Sequence, residues 1–164
     1  MIISKKTVLV LLWLSCVFGL ASCQKDEQFS LLNGQKRSIE DYRGQWLVIN
    51  FWAEWCPPCL KEIPQLNLLA KNNPNIAVLG VSFDKLSNAE LAGLVMKLNI
   101  EYPVLATEPM PYLPMARPQS LPATYVVTPQ SEVLGPLLGE VDQEKILTII
   151  EKIKASSGVD SAKD

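Results

Sequence analysis

The chain has 164 residues and a formal net charge of −2, a length that suits one domain with short extensions. It contains no histidine, which excludes Cys–His and Ser–His nucleophile pairs and metal sites that need imidazole. Its basic residues form no cluster, so the sequence gives no reason to expect nucleic-acid binding. Any acid–base chemistry must come from carboxylates, lysines, tyrosines or thiols.

The N-terminus has the pattern of an export signal. Lys5 and Lys6 precede an uncharged apolar run over 7–20, which is typical of a secretory signal peptide. The run is shorter than the ~20 apolar residues that a membrane-spanning helix needs. The sequence therefore predicts export rather than a membrane-spanning segment.

The end of this signal carries a second pattern, Leu-Ala-Ser-Cys at 20–23. It resembles a bacterial lipoprotein cleavage box, which implies removal of 1–22 and diacylation of Cys23. Two acyl chains would hold the domain stably at a membrane, outside the cytoplasm. The residue after the cysteine is Gln24 rather than aspartate, which favours the outer membrane. An uncleaved anchor, or an ordinary signal peptide with a chance cysteine, remains an alternative.

The rest of the chain predicts a tether over 23–28, one domain over 29–154 and a flexible tail over 155–164. Continuous apolar runs indicate strands buried on both faces, apolar spacing of three and four indicates helices, and Ser87 with Glu90 fits a capping box. The expected elements are strands near 29–32, 45–52, 76–83, 103–106, 122–128 and 132–138, helical segments at 38–42, 57–72, 88–98 and after 142, and an irregular loop at 108–120. Such alternation predicts an α/β fold, with a sheet flanked by helices on both faces.

The candidate site is the pair Cys56 and Cys59, where a buried strand leads into a helix. Residues three apart on a helix have Cβ atoms ~5–6 Å apart, close to the ~4 Å of a disulfide. The positive end of the helix dipole favours the thiolate of Cys56, which is the attacking species. Cys59, one turn further on, would resolve the mixed disulfide that Cys56 forms. The two residues are predicted to form a redox disulfide.

Two other interpretations of the cysteine pair have less support. Half of a zinc site would need a second pair of ligands, and the chain after residue 22 has neither histidine nor a second Cys-X-X-Cys. A purely structural disulfide would close so short a loop that it would add little entropic stabilisation.

Several separated motifs resemble known redox proteins. The stretch FWAEWCPPC at 51–59 resembles the active site of thioredoxins. Together with Asn33-Gly34, Gly44, and the segments 59–64 and 121–125, it resembles the TlpA/ResA-like thiol–disulfide reductases of bacterial envelopes, over roughly 29–154. The resemblance implies a thioredoxin-like fold, with a central mixed β-sheet, helices on both faces and an N-terminal extension. It implies no cofactor and no metal.

The resemblance also implies roles for individual residues. Pro122 would follow a cis bond and lie against the disulfide, while Leu121 and Trp55 would contact the substrate chain. Thioredoxins place a buried aspartate where this chain has Asn50, which cannot relay a proton. Glu62, which matches the glutamate of the TlpA/ResA-like family, is the expected substitute, and burial should raise its pKa toward a useful value.

Pro57 and Pro58 lack N–H groups that could stabilise the Cys56 thiolate, which predicts a reductant rather than a strong oxidant. The resemblance implies substrates among disulfide-bearing envelope proteins, including those of cytochrome c biogenesis, and a membrane thiol transporter of the DsbD/CcdA kind as electron donor. We expect a monomer. Apolar side chains of the 108–120 loop would either form a rim for substrate or pack on one another.

Two other functions share this fold. One is a thiol peroxidase of the peroxiredoxin or glutathione-peroxidase type, and the other is a non-catalytic envelope module that holds copper(I). Peroxide turnover would identify the first, and a copper titration would identify the second.

Overall fold

The computed structural model describes residues 28–157, and in this part of the chain the main sheet has four strands. Its strands are β3 Trp46–Trp52, β4 Ile76–Ser82, β5 Ala123–Val127 and β6 Val133–Leu138. Their order across the sheet is β4-β3-β5-β6. Strand β3 is parallel to β4 and antiparallel to β5, which is antiparallel to β6. This mixed sheet confirms the predicted fold class.

The remaining elements follow the predicted positions closely. The described helices are the 3-10 helix Ile39–Tyr42, α1 Pro57–Asn72, α2 Asn88–Lys97 and α3 Gln143–Ser157, and a small sheet pairs β1 Phe29–Ser30 with β2 Lys36–Arg37. The predicted capping box is present, since the Ser87 hydroxyl oxygen accepts from the N–H of Glu90, and the Glu90 carboxylate accepts from the N–H of Ser87.

Helix α3 continues past the predicted end of the domain at 154 and ends at Ser157. Lys154 pairs with Glu151 at 2.9 Å, and the Ser156 hydroxyl donates to the carbonyl of Ile153 at 2.9 Å, so local contacts sustain the last turn. The predicted tail over 155–164 is thus helical as far as 157, and 158–164 lie outside the described residues.

The six buried apolar residues of β3 divide between two hydrophobic clusters, and the buried Asn50 belongs to neither. Trp46, Val48 and Trp52 pack with buried residues of the three α-helices. The alternate positions, which include Leu47 and Phe51, pack with the N-terminal hairpin and the 3-10 helix. Both clusters are built from residues between 29 and 153. A chain that begins at Gln24 therefore keeps both clusters of the described residues.

Residues 103–106, predicted as a short strand, form isolated bridges instead. Val104 pairs with Gly80 in parallel, and Leu105 pairs with Leu31 in antiparallel fashion. Pro103 has no N–H with which to extend a ladder. The segment nevertheless joins the N-terminal hairpin to the edge of β4.

The predicted signal segment and Cys23 lie outside the described residues. Across 28–157, no helix combines the length and the apolar character that crossing a membrane requires.

Candidate active site

The cysteine pair lies where β3 ends and α1 begins. Cys56 is the N-cap of α1, and it forms a disulfide with Cys59 with 5.3 Å between the Cα atoms. Cys59 is completely buried, whereas 4% of Cys56 is exposed. The next two residues are prolines without N–H groups, and the N–H that reaches the Cys56 Sγ, at 3.3 Å, is that of Cys59. Both cysteines are buried, and Cys56 is the one that keeps some exposed surface.

Glu62 lies one helical turn beyond Cys59 and is completely buried. Its Oε1 accepts from the Val141 backbone N–H at 2.6 Å, and its Oε2 accepts from the Asn50 side-chain amide at 3.0 Å. Burial raises the pKa of Glu62 to about 7, although these two hydrogen bonds act in the opposite direction. The carboxyl group can therefore gain or lose a proton near neutral pH.

Asn50 is the partner of Glu62 that sequence reasoning missed. Its amide nitrogen also donates to the Thr124 hydroxyl at 3.1 Å, and its Oδ1 has no partner among residues 28–157. A rotation of the amide exchanges its nitrogen and oxygen. Asn50 can thus donate to the Glu62 carboxylate or accept from the protonated acid. The sequence did contain an indication of this contact, because a single amide side chain in a buried apolar strand needs a hydrogen-bond partner.

Tyr102 adds a second buried polar group near Glu62. Its hydroxyl has no partner among the described residues, and burial, followed by the charge of Glu62, raises its pKa. A Cβ atom on Gly80 would lie 3.1 Å from the Tyr102 ring and 3.2 Å from the Trp52 Nε1. The absence of a side chain on Gly80 therefore leaves room for these two rings. Nothing in the sequence indicated this role of Gly80.

The peptide bond between Leu121 and Pro122 is cis, as the resemblance to the TlpA/ResA-like family implies. Phe51 pairs with Ala123, so the residue before Ala123 lies at the end of the sheet where β3 leads into Cys56. Pro122 is buried, and Leu121 is half-buried with contacts to both clusters.

Trp55 is the exposed aromatic residue beside the pair, with 62% of its surface accessible. Its Nε1 donates to both carboxylate oxygens of Asp84, at 3.1 and 3.0 Å. Its ring meets Phe83 edge-on, with 6.3 Å between centroids. These contacts hold an exposed apolar surface at the residue that directly precedes Cys56.

No group of three or more acidic or cysteine side chains within 28–157 is arranged to hold a metal ion. The described site consists of a thiol pair and a titratable carboxyl group, and its chemistry is that of thiol–disulfide exchange.

Such an arrangement, on this sheet, defines the class of thioredoxin-like thiol–disulfide oxidoreductases. The sequence matches the AhpC/TSA family over residues 23–134, and the chain belongs to that family. Over 140 residues it is 29% identical to the thiol-disulfide oxidoreductase ResA of Geobacillus kaustophilus, covering 83% of this chain and 79% of that protein.

Two solved structures share the fold. The DsbF homologue from Corynebacterium diphtheriae has a TM-score of 0.64 and 22% identity, covering 76% of this chain and 82% of that one. The pneumococcal exposed lipoprotein thioredoxin Etrx1 from Streptococcus pneumoniae has a TM-score of 0.61 and 19% identity, covering 76% and 97%. These two structures confirm the predicted fold. The similarity to ResA confirms the predicted class, and it does not favour the peroxidase or copper-binding alternatives.

Proposed function

We propose that the chain reduces disulfides of proteins outside the cytoplasm by dithiol–disulfide exchange. The main support for this proposal is the Cys56–Cys59 pair at the start of α1, one helical turn before a buried glutamate whose pKa is near neutral. The Cys56 thiolate attacks one substrate sulfur and forms a mixed disulfide, and the leaving sulfur takes up a proton. Cys59 then attacks Cys56. The substrate leaves as a dithiol, and the chain keeps both oxidising equivalents as its own disulfide.

Glu62 is the proposed proton acceptor in the second step. Cys59 is a better nucleophile as a thiolate, but it is completely buried, so bulk water does not reach it. Glu62 lies on the same helix one turn away, and a carboxylate with a pKa of about 7 can receive the Cys59 proton at neutral pH. Trp55 and Leu121 are the proposed contacts for the substrate chain, with Pro122 at the same end of the sheet.

The reducing direction follows from the donors available to Cys56. Because Pro57 and Pro58 occupy the first two helical positions, the Cys59 N–H is the backbone donor that the sulfur finds. A thiolate with few donors is stabilised less, and its disulfide is correspondingly harder to reduce.

The proposed location is the cell envelope, with lipid on Cys23 and the outer membrane as its site. The support is the export signal and the Leu-Ala-Ser-Cys pattern. The related pneumococcal protein is also described as a lipoprotein. A reductant in an oxidising compartment needs a supply of electrons, for which we propose a membrane thiol transporter of the DsbD/CcdA type. The intact mass of the membrane-extracted chain tests the lipid directly.

A competition assay tests the function. We expect the reduced chain from Gln24 to react faster with a disulfide-bonded protein such as insulin than with hydrogen peroxide. One substrate disulfide should be lost for each Cys56–Cys59 disulfide formed. The Cys56→Ser variant is the control and should be inactive. Rapid oxidation by peroxide together with no reaction toward the protein disulfide would favour the peroxidase alternative.

A further inference from the structure

A cavity between the sheet and the 108–117 segment has no role in the chemistry described above. We propose that this cavity binds an apolar side chain of the substrate polypeptide, and that Arg117 pairs with a carboxylate close to that side chain. The proposal rests on the proposed function and specifies which disulfide-bearing polypeptides the chain prefers.

The volume of the cavity is about 270 Å³. Whole small-molecule ligands usually occupy ~300–1,000 Å³, so this cavity suits a single side chain better than a cofactor. Its wall is mainly apolar and comes from the ends of β3 and β4 and from the loop, including Phe51, Val81, Met110, Tyr112, Leu113 and Met115. Leu113 and Met115 also pack against the second core cluster, which gives the cavity a firm base.

Two residues at the mouth of the cavity expose an unusual amount of apolar surface. Met110 is 44% exposed and Tyr112 is 60% exposed. Methionine is flexible and polarisable and adapts to side chains of different shape, and tyrosine offers a large apolar face with a polar tip. Had the loop only packed against itself, these two side chains would be expected to be covered.

Arg117 is the charged residue that lines this cavity among the described residues. Its guanidinium lies 4.2 Å from the centre of the Phe83 ring and donates to the Phe83 carbonyl. No carboxylate of residues 28–157 forms an ion pair with it. Glu54, next to Trp55, is in contrast already paired with Lys97 at 2.7 Å. A cavity that is apolar with one unmatched cation is complementary to an apolar side chain beside an acidic one.

The cavity is connected to the redox site through Phe83. The Phe83 ring contacts both Arg117, which lines the cavity, and Trp55, and Trp55 directly precedes Cys56 in the chain. An extended polypeptide whose cysteine reacts with Cys56 can therefore pass over Trp55 and Phe83 and place a nearby side chain in the cavity. This connection selects a polypeptide substrate as the occupant.

Two disulfide-bonded peptides test the proposal, one with Leu-Glu and one with Ser-Gln near the reacting cysteine, together with the small neutral 2-hydroxyethyl disulfide. The reduced chain from Gln24 should prefer the Leu-Glu peptide, as measured by kcat/KM. The double variant Met110→Ser/Tyr112→Ser should lower that preference about tenfold, and Arg117→Gln should lower it several-fold. The rate with 2-hydroxyethyl disulfide should not change.

Two exposed residues away from the cavity provide matched controls. Met96→Ser on α2, where the side chain is 82% exposed, and Arg37→Gln on β2 should leave the preference intact. Equal kcat/KM for both peptides, with normal reduction of the small disulfide, would indicate that the loop packs only on itself. That result would overturn the proposal about the cavity and leave the proposed function standing. If the unsubstituted chain reduces none of the three disulfides, the proposed function fails, and this inference fails with it.

Discussion

Replacing Cys59 with serine should trap the chain in a mixed disulfide with its substrate, whereas replacing Cys56 should abolish the reaction. Cys56 is the cysteine that keeps some exposed surface, and Cys59 is completely buried. Without the Cys59 thiol the mixed disulfide on Cys56 cannot be resolved from within the chain. Because an intramolecular nucleophile has a large effective concentration, we expect its release to slow by at least about 10³-fold. Non-reducing electrophoresis and mass spectrometry of the adduct measure both the trapping and the cysteine involved.

The control for this experiment concerns stability. A serine hydroxyl at the buried position of Cys59 would cost roughly 1–3 kcal/mol if it found no partner, so Cys59→Ala should be tested beside it. Both variants should trap substrate if they remain folded, as circular dichroism can check. An adduct carried by Cys59 in a Cys56→Ser chain, and none on Cys56, would reverse the proposed order of the two sulfurs.

Replacing Glu62 with glutamine should stabilise the protein at alkaline pH. The pKa of Glu62 is about 7 in the folded chain against an ordinary 4.5, so the folded state binds this proton more tightly than the unfolded state does. The native protein therefore loses stability as pH rises from about 4.5 to about 7. The neutral amide avoids this loss, and the gain above that range should be about 3 kcal/mol in the free energy of unfolding.

Urea unfolding at about pH 4 and about pH 8 measures this gain. The new amide can still accept from the Val141 N–H, and rotation of the Asn50 amide lets its oxygen accept from the new NH₂ group, so the fold should tolerate the change. Glu132→Gln, at an exposed position, is the matched control and should show no comparable gain. A loss of stability in Glu62→Gln at both pH values would mean that the carboxylate itself is needed to hold the fold.

The same glutamine variant should be slower in reaction. General acid–base groups typically contribute about 10²–10⁴-fold, and we expect a loss near the lower end at neutral pH, with the rate no longer changing around pH 7. A purely structural role would not combine higher stability with lower activity. Unchanged rate and unchanged pH profile would exclude Glu62 as the proton acceptor.

Local signals in the sequence were sufficient for most of the elements. The strand β3 follows from its continuous apolar run, α2 follows from its capping box, and the position of the cysteine pair follows from the order of strand and helix. Helix α3 runs past the predicted start of the tail at 155, because terminal residues carry weak signals. The strand prediction for 103–106 is wrong, because the prolyl nitrogen of Pro103 limits the ladder.

The surroundings of Glu62 were harder to predict because they depend on contacts far apart in the chain. The side chain is completely buried, and its hydrogen-bond partners are Asn50 on β3 and the Val141 N–H in the loop before α3. Val141 lies 79 residues from Glu62, and a backbone N–H leaves no mark in a sequence. Tyr102 and Gly80 come together through the isolated bridge between Val104 and Gly80, which joins distant parts of the chain.

The reduction potential of the Cys56–Cys59 pair is the measurement that tests the proposed reducing function most directly. The chain from Gln24, which lacks Cys16 and Cys23, can be equilibrated with glutathione or dithiothreitol, and its redox state read by thiol alkylation and mass. We expect a potential at or below about −270 mV, the value of thioredoxin. A potential above about −180 mV, in the range of disulfide isomerases and oxidases, would contradict the reducing direction.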